Sequence, residues 1–238
     1  MGNRITLITG AAGALGSALC QVLVDAGHRI ALVDRPEARA RLAELARSLG
    51  AGKSMSVPLD VGDPGEWQQQ LAQIEAELGG IDSAVLTAGG WQGGAPYHTA
   101  GGAAAYEPML GMNLNTVHRS FEALLPRFVA RKHGSIVVLG SRAVERPWDS
   151  ANAAAYAASK AAVVALAQAA AQEVLDAGVR INAVLPSTID TAANRRAMPD
   201  ADFSRWVSPS SLGGVIRFLL SDEARDISGA ALPVYGRA

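Results

Sequence analysis

Short apolar runs rich in β-branched residues recur along the chain, separated by longer stretches whose apolar residues follow a helical spacing. Seven runs predict β-strands, at residues 5–9, 28–33, 53–59, 81–86, 135–139, 179–185 and 230–235. Six stretches predict helices, at residues 17–26, 36–49, 66–78, 106–130, 151–177 and 209–220. Because strands and helices alternate, we expect right-handed crossovers and an α/β fold, with one doubly wound parallel sheet of about seven strands and helices on both faces.

Two segments depart from this regular pattern. Residues 106–130 contain Pro126, where we expect the helix to break or bend because proline has no backbone N–H to donate. Residues 187–207 are polar and show no sustained period, so we expect a mobile loop that contacts the substrate. The sequence contains no repeat or linker, and residues 1–238 are therefore expected to form a single domain.

A glycine-rich turn follows the first predicted strand. Gly10, Gly13 and Gly16 have the spacing G-x-x-G-x-x-G, directly before a predicted helix. Glycines let the backbone approach a ligand closely, and the free N–H groups at a helix start attract a pyrophosphate. This arrangement predicts a dinucleotide site, and a plain tight turn is the alternative explanation.

Acidic residues follow the second and third predicted strands. Asp34 can accept hydrogen bonds from the adenosine ribose and repel a 2′-phosphate, which favours NAD(H), whereas Arg35 can hold that phosphate and favour NADP(H). Asp60, which precedes Val61, can accept from the adenine amino group. Helix capping, for which Asp63 is also suitable, is the alternative explanation for the acidic residues here.

A glycine-rich loop occupies residues 87–94, after the fourth predicted strand. Ala88 and Gly89 are small enough for the backbone to pass close to a cofactor. Trp91 is either a lid over a pocket or a surface plug packed against the body of the protein.

Four polar residues are candidates for catalysis. Tyr156 and Lys160 are four positions apart in an alanine-rich predicted helix, so they project from the same face. A tyrosine with an ordinary pKa of ~10 exchanges protons poorly at neutral pH, and a neighbouring cation lowers that pKa. Ser141 follows the fifth strand, at the sheet edge where ligands bind. Asn113 is a polar amide in an apolar stretch and needs hydrogen-bonding partners if it is buried. An ordinary exposed pair of tyrosine and lysine has the same spacing, so the surrounding motifs decide the interpretation.

Composition narrows the possible partners. With 21 basic and 22 acidic residues and no basic run, the chain has no electrostatic signature for nucleic acid or an anionic membrane. The single cysteine, Cys20, excludes an internal disulfide and a cysteine-rich metal site, and its apolar surroundings predict a buried thiol. Residues 1–10 lack a signal-peptide pattern and no apolar stretch reaches the ~18 residues of a membrane span, so we expect a cytoplasmic protein with no metal.

The ordered set of motifs resembles the short-chain dehydrogenase/reductase family over nearly the whole chain. The matching positions are residues 9–16, Asp34, Asp60, Val61, Ala88, Gly89, Asn113, Ser141, Tyr156, Lys160, residues 179–186, Ser228 and Gly229. Four features depart from the usual family pattern: the glycine motif at residues 10–16 is spaced differently, Thr87 replaces an asparagine, Ser187 replaces a glycine, and the segment between Ser141 and Tyr156 is about two residues longer than usual.

The resemblance implies a Rossmann-type fold that binds NAD(H) or NADP(H) and transfers hydride to a carbonyl or from a secondary alcohol. It implies that Tyr156 exchanges the proton and that Lys160 holds the nicotinamide ribose and lowers the tyrosine pKa. Ser141 would bond the substrate oxygen, and Asn113 would order a water in the proton relay. Further cofactor contacts are implied for Gly10, Ala12, Gly13, Leu15, Gly16, Ala88, Gly89, Pro186, Ile189 and Thr191. A homodimer or homotetramer is implied as well, formed through the two long helices at residues 104–130 and 151–177.

Two alternatives remain. Residues 88–94 and 185–206 resemble dihydropteridine reductases, which suggests reduction of a quinonoid dihydropterin. Those reductases lack the serine that Ser141 matches, and its presence favours ordinary carbonyl or alcohol chemistry. The other alternative is a dinucleotide-binding regulatory protein without catalytic activity.

Overall fold

The computed structural model describes residues 4–237, so the first three residues of the N-terminal segment considered above, and Ala238, lie outside the described residues. Seven strands form one sheet in which every neighbouring pair is parallel, in the order β3-β2-β1-β4-β5-β6-β7. The strands are β1 Ile5–Thr9, β2 Arg29–Asp34, β3 Ser54–Pro58, β4 Ser83–Leu86, β5 Gly134–Leu139, β6 Val179–Pro186 and β7 Ala231–Val234. The expected doubly wound parallel sheet is confirmed.

Helices cover both faces of the sheet. They are α1 Ala14–Asp25, α2 Arg39–Leu49, α3 Pro64–Glu77, α4 Ala100–Ala103, α5 Tyr106–Met109, α6 Thr116–Arg131, α7 Ala154–Glu173, α8 Ala192–Ala197 and α9 Pro209–Leu220. The first core cluster joins α3, α6 and α7 to one face of the sheet, and the second joins α1, α2 and α9 to the other. Leu7 and Ile8 of β1 enter different clusters because successive side chains of a strand point to opposite faces. Cys20 is buried in the second cluster, as its apolar surroundings predict.

The helix expected over residues 106–130 is interrupted, but not at Pro126. The irregular segment is Leu110–Asn115, which is π-helical and joins α5 to α6, whereas α6 continues through Pro126 to Arg131. The hydroxyl of Thr116 donates to the carbonyl oxygens of Met112 at 2.9 Å and Asn113 at 3.1 Å in this segment. The expected break at Pro126 is therefore wrong. The irregularity instead coincides with Asn113, whose side chain is bonded outside its own helix; π-helical segments are frequent at functional sites.

The helix α7 corrects another expectation. With 20 residues, most of them apolar, the helix is long and apolar enough to cross a membrane by length and composition. The expectation that no apolar stretch reaches that length is therefore wrong, because alanines make up most of this helix. Nine of its residues, including Lys160, are buried, and the helix packs against β5 and β6 as part of the first core cluster.

Residues 187–207, which we call the substrate loop, contain regular structure that their polar sequence did not predict. Besides α8, the loop has a 3₁₀ turn at Phe203–Arg205 and a parallel bridge between Ile189 and Val207. Asp190 accepts two hydrogen bonds from Arg195, at 2.6 and 2.7 Å. The Arg195 guanidinium lies 4.8 Å from the centre of the Phe203 ring. These contacts hold the loop together from within.

Candidate active site

The candidate residues gather at one edge of the sheet because all seven strands are parallel and end there. The sheet order changes direction between β1 and β4, which leaves a crevice outside the strand ends where open α/β sheets bind ligands. Residues at or just beyond the carboxyl ends of the strands therefore lie at this edge. They are the glycine turn, Asp34, Asp60, Ala88, Ser141 and Pro186.

The turn between β1 and α1 suits a pyrophosphate. The helix begins at Ala14, earlier than the predicted residue 17, so Gly16 lies within its first turn. A Cβ on Gly16 would stand 2.2 Å from the carbonyl oxygen of Gly10, so the helix start and the turn approach too closely for any side chain. Gly13 is the N-cap residue of α1, and glycine has no side chain that could accept from the first amides of the helix. The amides of Ala14, Leu15 and Gly16 find no acceptor within residues 4–237. These free donors point to an anionic ligand.

Asp34 lies directly beside this turn. One carboxylate oxygen accepts from the amide of Ala12 at 2.9 Å, and the other accepts from the amide of Arg35 at 2.9 Å. The fold thus brings together Ala12 and Asp34, both predicted to contact the cofactor. Arg35 is exposed, and its guanidinium makes no hydrogen bond within the described residues.

The segment after β3 contains one residue that the structure turns away from the crevice. Val61 is buried in the first core cluster, and its carbonyl oxygen accepts from the indole of Trp67 at 3.2 Å. Its side chain therefore offers no surface to a cofactor, which corrects the expectation for that side chain. Asp60 is exposed and accepts from the amide of Gly62 at 2.9 Å, while Asp63 caps α3 by accepting from Gly65 at 2.8 Å.

The loop after β4 connects the nucleotide turn to the acid–base residues. The Ala88 amide donates to the hydroxyl of Thr9 at 3.1 Å, and the hydroxyl of Thr87 donates to the Thr9 carbonyl. A Cβ on Gly89 would stand 2.7 Å from the Asn113 side-chain oxygen and 3.7 Å from the Lys160 ammonium. Ala88 and Gly89 therefore run between the first strand and the lysine, and at Gly89 there is room for backbone only.

Asn113 is buried and its side chain is fully engaged. Its oxygen accepts from the amide of Gly90 at 3.0 Å, and its nitrogen donates to the hydroxyl of Ser159 at 3.0 Å. Ser159 in turn donates to the carbonyl oxygen of Tyr156 at 2.8 Å. The side chain thus connects the glycine-rich loop to α7. Sequence reasoning missed Ser159, although a lone hydroxyl beside Lys160 in an alanine run was a signal for it.

Tyr156 and Ser141 are brought together despite the long spacing between them. Tyr156 lies in the first turn of α7, packed against Ala105, Met109 and Ala155. Burial raises the pKa of Tyr156, and a hydrogen bond with Ser141 lowers it by a smaller amount. Ser141 accepts from the amide of Ala143 at 3.2 Å, so its hydroxyl proton can be donated to Tyr156 or to a substrate oxygen.

Lys160 is buried in α7, and its ammonium is bonded to the backbone at the end of β5. Its ammonium donates to the carbonyl oxygen of Leu139 at 2.9 Å, and burial lowers its pKa to about 8. In this structure burial raises the pKa of Tyr156, and Lys160 is not among the groups that shift it. The expectation that the lysine lowers the tyrosine pKa stays a prediction.

The residues after β6 line the same edge. Pro186 is buried at the end of the strand, and Ile189 packs against the second core cluster. Thr191 caps α8 by accepting from the amide of Asn194 at 3.1 Å. The hydroxyl proton of Thr191 remains available to a ligand.

Two further features bear on the site. Trp91 is 64% exposed with its ring close to Gly93, so it is not a plug packed into the body of the protein. Tyr235 donates a hydrogen bond of 2.5 Å to Glu145, and burial followed by the contribution of Glu145 raises the pKa of Tyr235 to about 12. Sequence reasoning missed this pair, and no local pattern signals a contact between residues so far apart in the chain.

Comparison with known proteins adds independent findings. A family model described as enoyl-(acyl carrier protein) reductase matches residues 10–236. The chain is 30% identical over 247 residues to the 2,5-dichloro-2,5-cyclohexadiene-1,4-diol dehydrogenase LinX of Sphingobium indicum, covering 99% of this chain and 96% of that protein. It is 30% identical over 243 residues to the 3-oxoacyl-[acyl-carrier-protein] reductase FabG of Escherichia coli K12, covering 98% and 96%. The structure of a short-chain type dehydrogenase/reductase from Mycobacterium ulcerans matches with a TM-score of 0.88 at 27% identity, covering 100% of this chain and 90% of that one.

Proposed function

This chain belongs to the short-chain dehydrogenase/reductase family and is an NAD(P)-dependent oxidoreductase, and within that activity we propose that it prefers NAD(H). We propose further that it transfers hydride between the nicotinamide and a carbonyl or secondary alcohol. The observation that carries the proposal is the placement of Tyr156 with Ser141 at the same sheet edge as the free amides of α1.

The residues present fit a dinucleotide. The turn of residues 10–16 leaves no space for a side chain at Gly16 and offers free amides for a pyrophosphate. Asp34, beside Ala12, would hold the adenosine ribose and disfavour a 2′-phosphate. Further contacts would come from Gly10, Gly13, Leu15, Arg35, Asp60, the backbone of Val61, Ala88, Gly89, Tyr156, Lys160, Pro186, Ile189 and Thr191. When bound, the nicotinamide supplies or accepts the hydride.

The acid–base chemistry belongs to Tyr156 and its neighbours. Because burial raises its pKa, Tyr156 holds its proton at neutral pH and can donate it to a carbonyl oxygen that gains negative charge. Ser141 can donate a hydrogen bond to the same oxygen. For alcohol oxidation the steps run in reverse, and Tyr156 must first lose its own proton before it can take the proton of the alcohol. Lys160 positions the strand end before Ser141 through Leu139, and Asn113 holds the glycine-rich loop against α7.

The two alternatives are not favoured. The relatives described above are a diol dehydrogenase and a 3-oxoacyl reductase, both of which act on alcohol or carbonyl groups by their names. The proximity of Ser141 to Tyr156 supports the same chemistry over reduction of a dihydropterin. A purely regulatory role would make no use of a buried tyrosine, serine and lysine at one site.

We also propose that the protein is a cytoplasmic homodimer or homotetramer assembled through α6 and α7. The helix α7 exposes the small side chains of Ala158, Ala161, Ala165 and Ala169 on one side. Small apolar residues allow two helices to approach closely, which supports this face as the contact. The single buried thiol of Cys20 suits a reducing compartment.

An assay of nicotinamide absorbance tests the catalytic proposal. The purified protein is mixed with NADH or NADPH and a panel of ketones, with the oxidised cofactors and secondary alcohols, and with quinonoid dihydropterin. We expect turnover of a ketone or alcohol, higher with NAD(H), and its loss in Tyr156→Phe although that variant still binds NADH. Undiminished turnover in Tyr156→Phe contradicts the assigned role, and turnover of the dihydropterin alone assigns the alternative reaction.

A further inference from the structure

The last four described residues, 234–237, run from the end of β7 onward, and we call them the C-terminal strap. They contact both ends of the substrate loop and the turn that begins at Ser141. None of these strap residues belongs to the motifs that identify the site.

The strap binds the start of the substrate loop through Ser187. The amide of Ser187 donates to the carbonyl oxygen of Val234 at 3.2 Å, and its hydroxyl donates to the carbonyl oxygen of Tyr235 at 2.7 Å. The second bond depends on the serine, which stands where the family pattern has a glycine. The departure from that pattern therefore supplies a contact that glycine cannot make.

The strap also binds the far end of the loop through Arg205. The guanidinium of Arg205 donates twice to the carbonyl oxygen of Arg237, at 3.1 and 2.7 Å, and the Arg237 amide donates to the Arg205 carbonyl at 3.0 Å. Gly236 has φ +63, and a Cβ there would stand 2.8 Å from the Arg205 carbonyl oxygen. The two ends of the substrate loop are thus fastened to the same four residues.

The third contact reaches the catalytic side of the crevice. Tyr235 donates its hydroxyl proton to the Glu145 carboxylate at 2.5 Å, a short bond to a charged acceptor. Ser141 and Glu145 are the residues that cap the 3₁₀ turn Arg142–Val144 at its start and its end. The amide of Val144 donates to the Ser141 carbonyl at 3.0 Å. Ser141 and Glu145 are therefore the two ends of one short turn, and a displacement of Glu145 would be transmitted to Ser141.

We propose that Tyr235 is a positioning residue, whose hydroxyl acts through Glu145 to hold Ser141 in a fixed relation to the substrate loop. The proposal rests on the proposed function to the extent that Ser141 bonds the substrate oxygen. Tyr235 also packs its ring against the first core cluster, so a role in packing alone is the competing explanation. The two roles separate chemically, since only the positioning role needs the hydroxyl.

Three variants test the hydroxyl contact. Tyr235→Phe keeps the ring and removes the donor, Glu145→Ala removes the acceptor, and Glu145→Gln keeps an acceptor oxygen as the matched control. With the best substrate from the panel, we expect Tyr235→Phe and Glu145→Ala each to lower kcat about tenfold, less than the ~100-fold that a misplacement of about 1 Å can cause. NADH affinity should stay unchanged, Glu145→Gln should retain most activity, and the double variant Tyr235→Phe/Glu145→Ala should lose no more than either single variant. Full activity in Tyr235→Phe, losses that multiply, or an equal loss in Glu145→Gln overturns the proposal.

Hydrogen exchange supplies a readout that does not depend on turnover. In Tyr235→Phe, amides in residues 141–146 and 187–207 should exchange faster together, while residues 10–16 remain at the wild-type rate. Unchanged exchange in residues 141–146 overturns the proposal even if activity falls. If the wild-type protein turned over no compound of the panel, that result would contradict the proposed function. The hydrogen-exchange result alone would then test whether Tyr235 positions residues 141–146. If Tyr235→Phe does not fold, Glu145→Ala compared with Glu145→Gln decides both measurements.

Discussion

The ammonium group of Lys160 donates a 2.9 Å hydrogen bond to the carbonyl oxygen of Leu139, the last residue of β5. Burial at this position lowers the lysine pKa from 10.5 to about 8, so holding the charge there opposes folding. The unfolded chain binds more protons than the folded one between these two values. The cost to stability is therefore fully present below about pH 8 and disappears as the pH rises toward 10.5.

Replacing this lysine should make the protein more stable and less active. We expect Lys160→Met to raise the free energy of unfolding at pH 7 by about 1–3 kcal/mol, the cost of the pKa shift reduced by the lost hydrogen bond. Urea unfolding at pH 7 and pH 9.5 measures this, and the gain should be smaller at the higher pH. Lys53→Met, at an exposed lysine, is the control for losing a positive charge. A Lys160→Met variant that unfolds at lower urea than wild type at pH 7 contradicts the argument.

The choice of cofactor should depend on the charge of Asp34. Asp34→Asn keeps an oxygen that can accept from the Ala12 amide but no longer repels a 2′-phosphate. We expect the ratio of NADPH to NADH affinity to rise at least about tenfold, which corresponds to ~1.4 kcal/mol. Titration of each cofactor by fluorescence measures the ratio. An unchanged ratio would show that Arg35 determines the preference, and Arg35→Ser would then weaken NADPH binding selectively.

Glycine substitutions should have opposite effects at two helical positions. In Gly16→Ala the new methyl group meets the Gly10 carbonyl oxygen at 2.2 Å, so we expect loss of NADH binding and a destabilised fold. Gly214 lies in α9 with nothing within 4 Å of an added Cβ, and Gly214→Ala should stabilise by about 0.5–1 kcal/mol. Calorimetry and NADH titration compare the two. Normal NADH affinity in Gly16→Ala would show that the turn can open without cost.

The proposed assembly through α7 predicts a change in mass. Ala161→Glu places a charge on the exposed alanine side of α7 and should shift the protein to a smaller species, because an unpaired charge is costly in a close helix contact. Light scattering after size-exclusion chromatography measures the mass. Ala43→Glu, at an exposed alanine of α2, should leave the mass unchanged. An identical oligomer in both variants would place the interface elsewhere.

The sheet was predictable because most strands are buried apolar runs that alternate with helices along the chain. Leu7 and Ile8 illustrate this, since both are apolar and they face opposite core clusters. The glycine turn was also predictable, although not that the helix begins within it, because the close approach of Gly16 to Gly10 is visible only in three dimensions.

The interior of the site could be predicted only in part. The residue types of Tyr156, Ser141 and Asn113 were visible in sequence, but their environments were not. The π-helical segment surrounds Asn113, whose partners Gly90 and Ser159 are 23 and 46 residues away. The direction of the Tyr156 pKa shift depends on burial against Met109, which lies far from it in sequence. The local periodicity of apolar residues does not indicate contacts between residues so far apart in the chain.

The burial of Cys20 has a practical consequence for studying this protein in solution. Its thiol lies in the second core cluster, and burial raises its pKa to about 12, so it remains protonated and unreactive toward alkylating reagents. A cysteine introduced in place of Trp148 or Met198, both exposed, would then be the only thiol that reacts. A fluorescent probe can therefore be attached at either position of the otherwise native chain, and at position 198 it would report movements of the substrate loop without prior removal of Cys20.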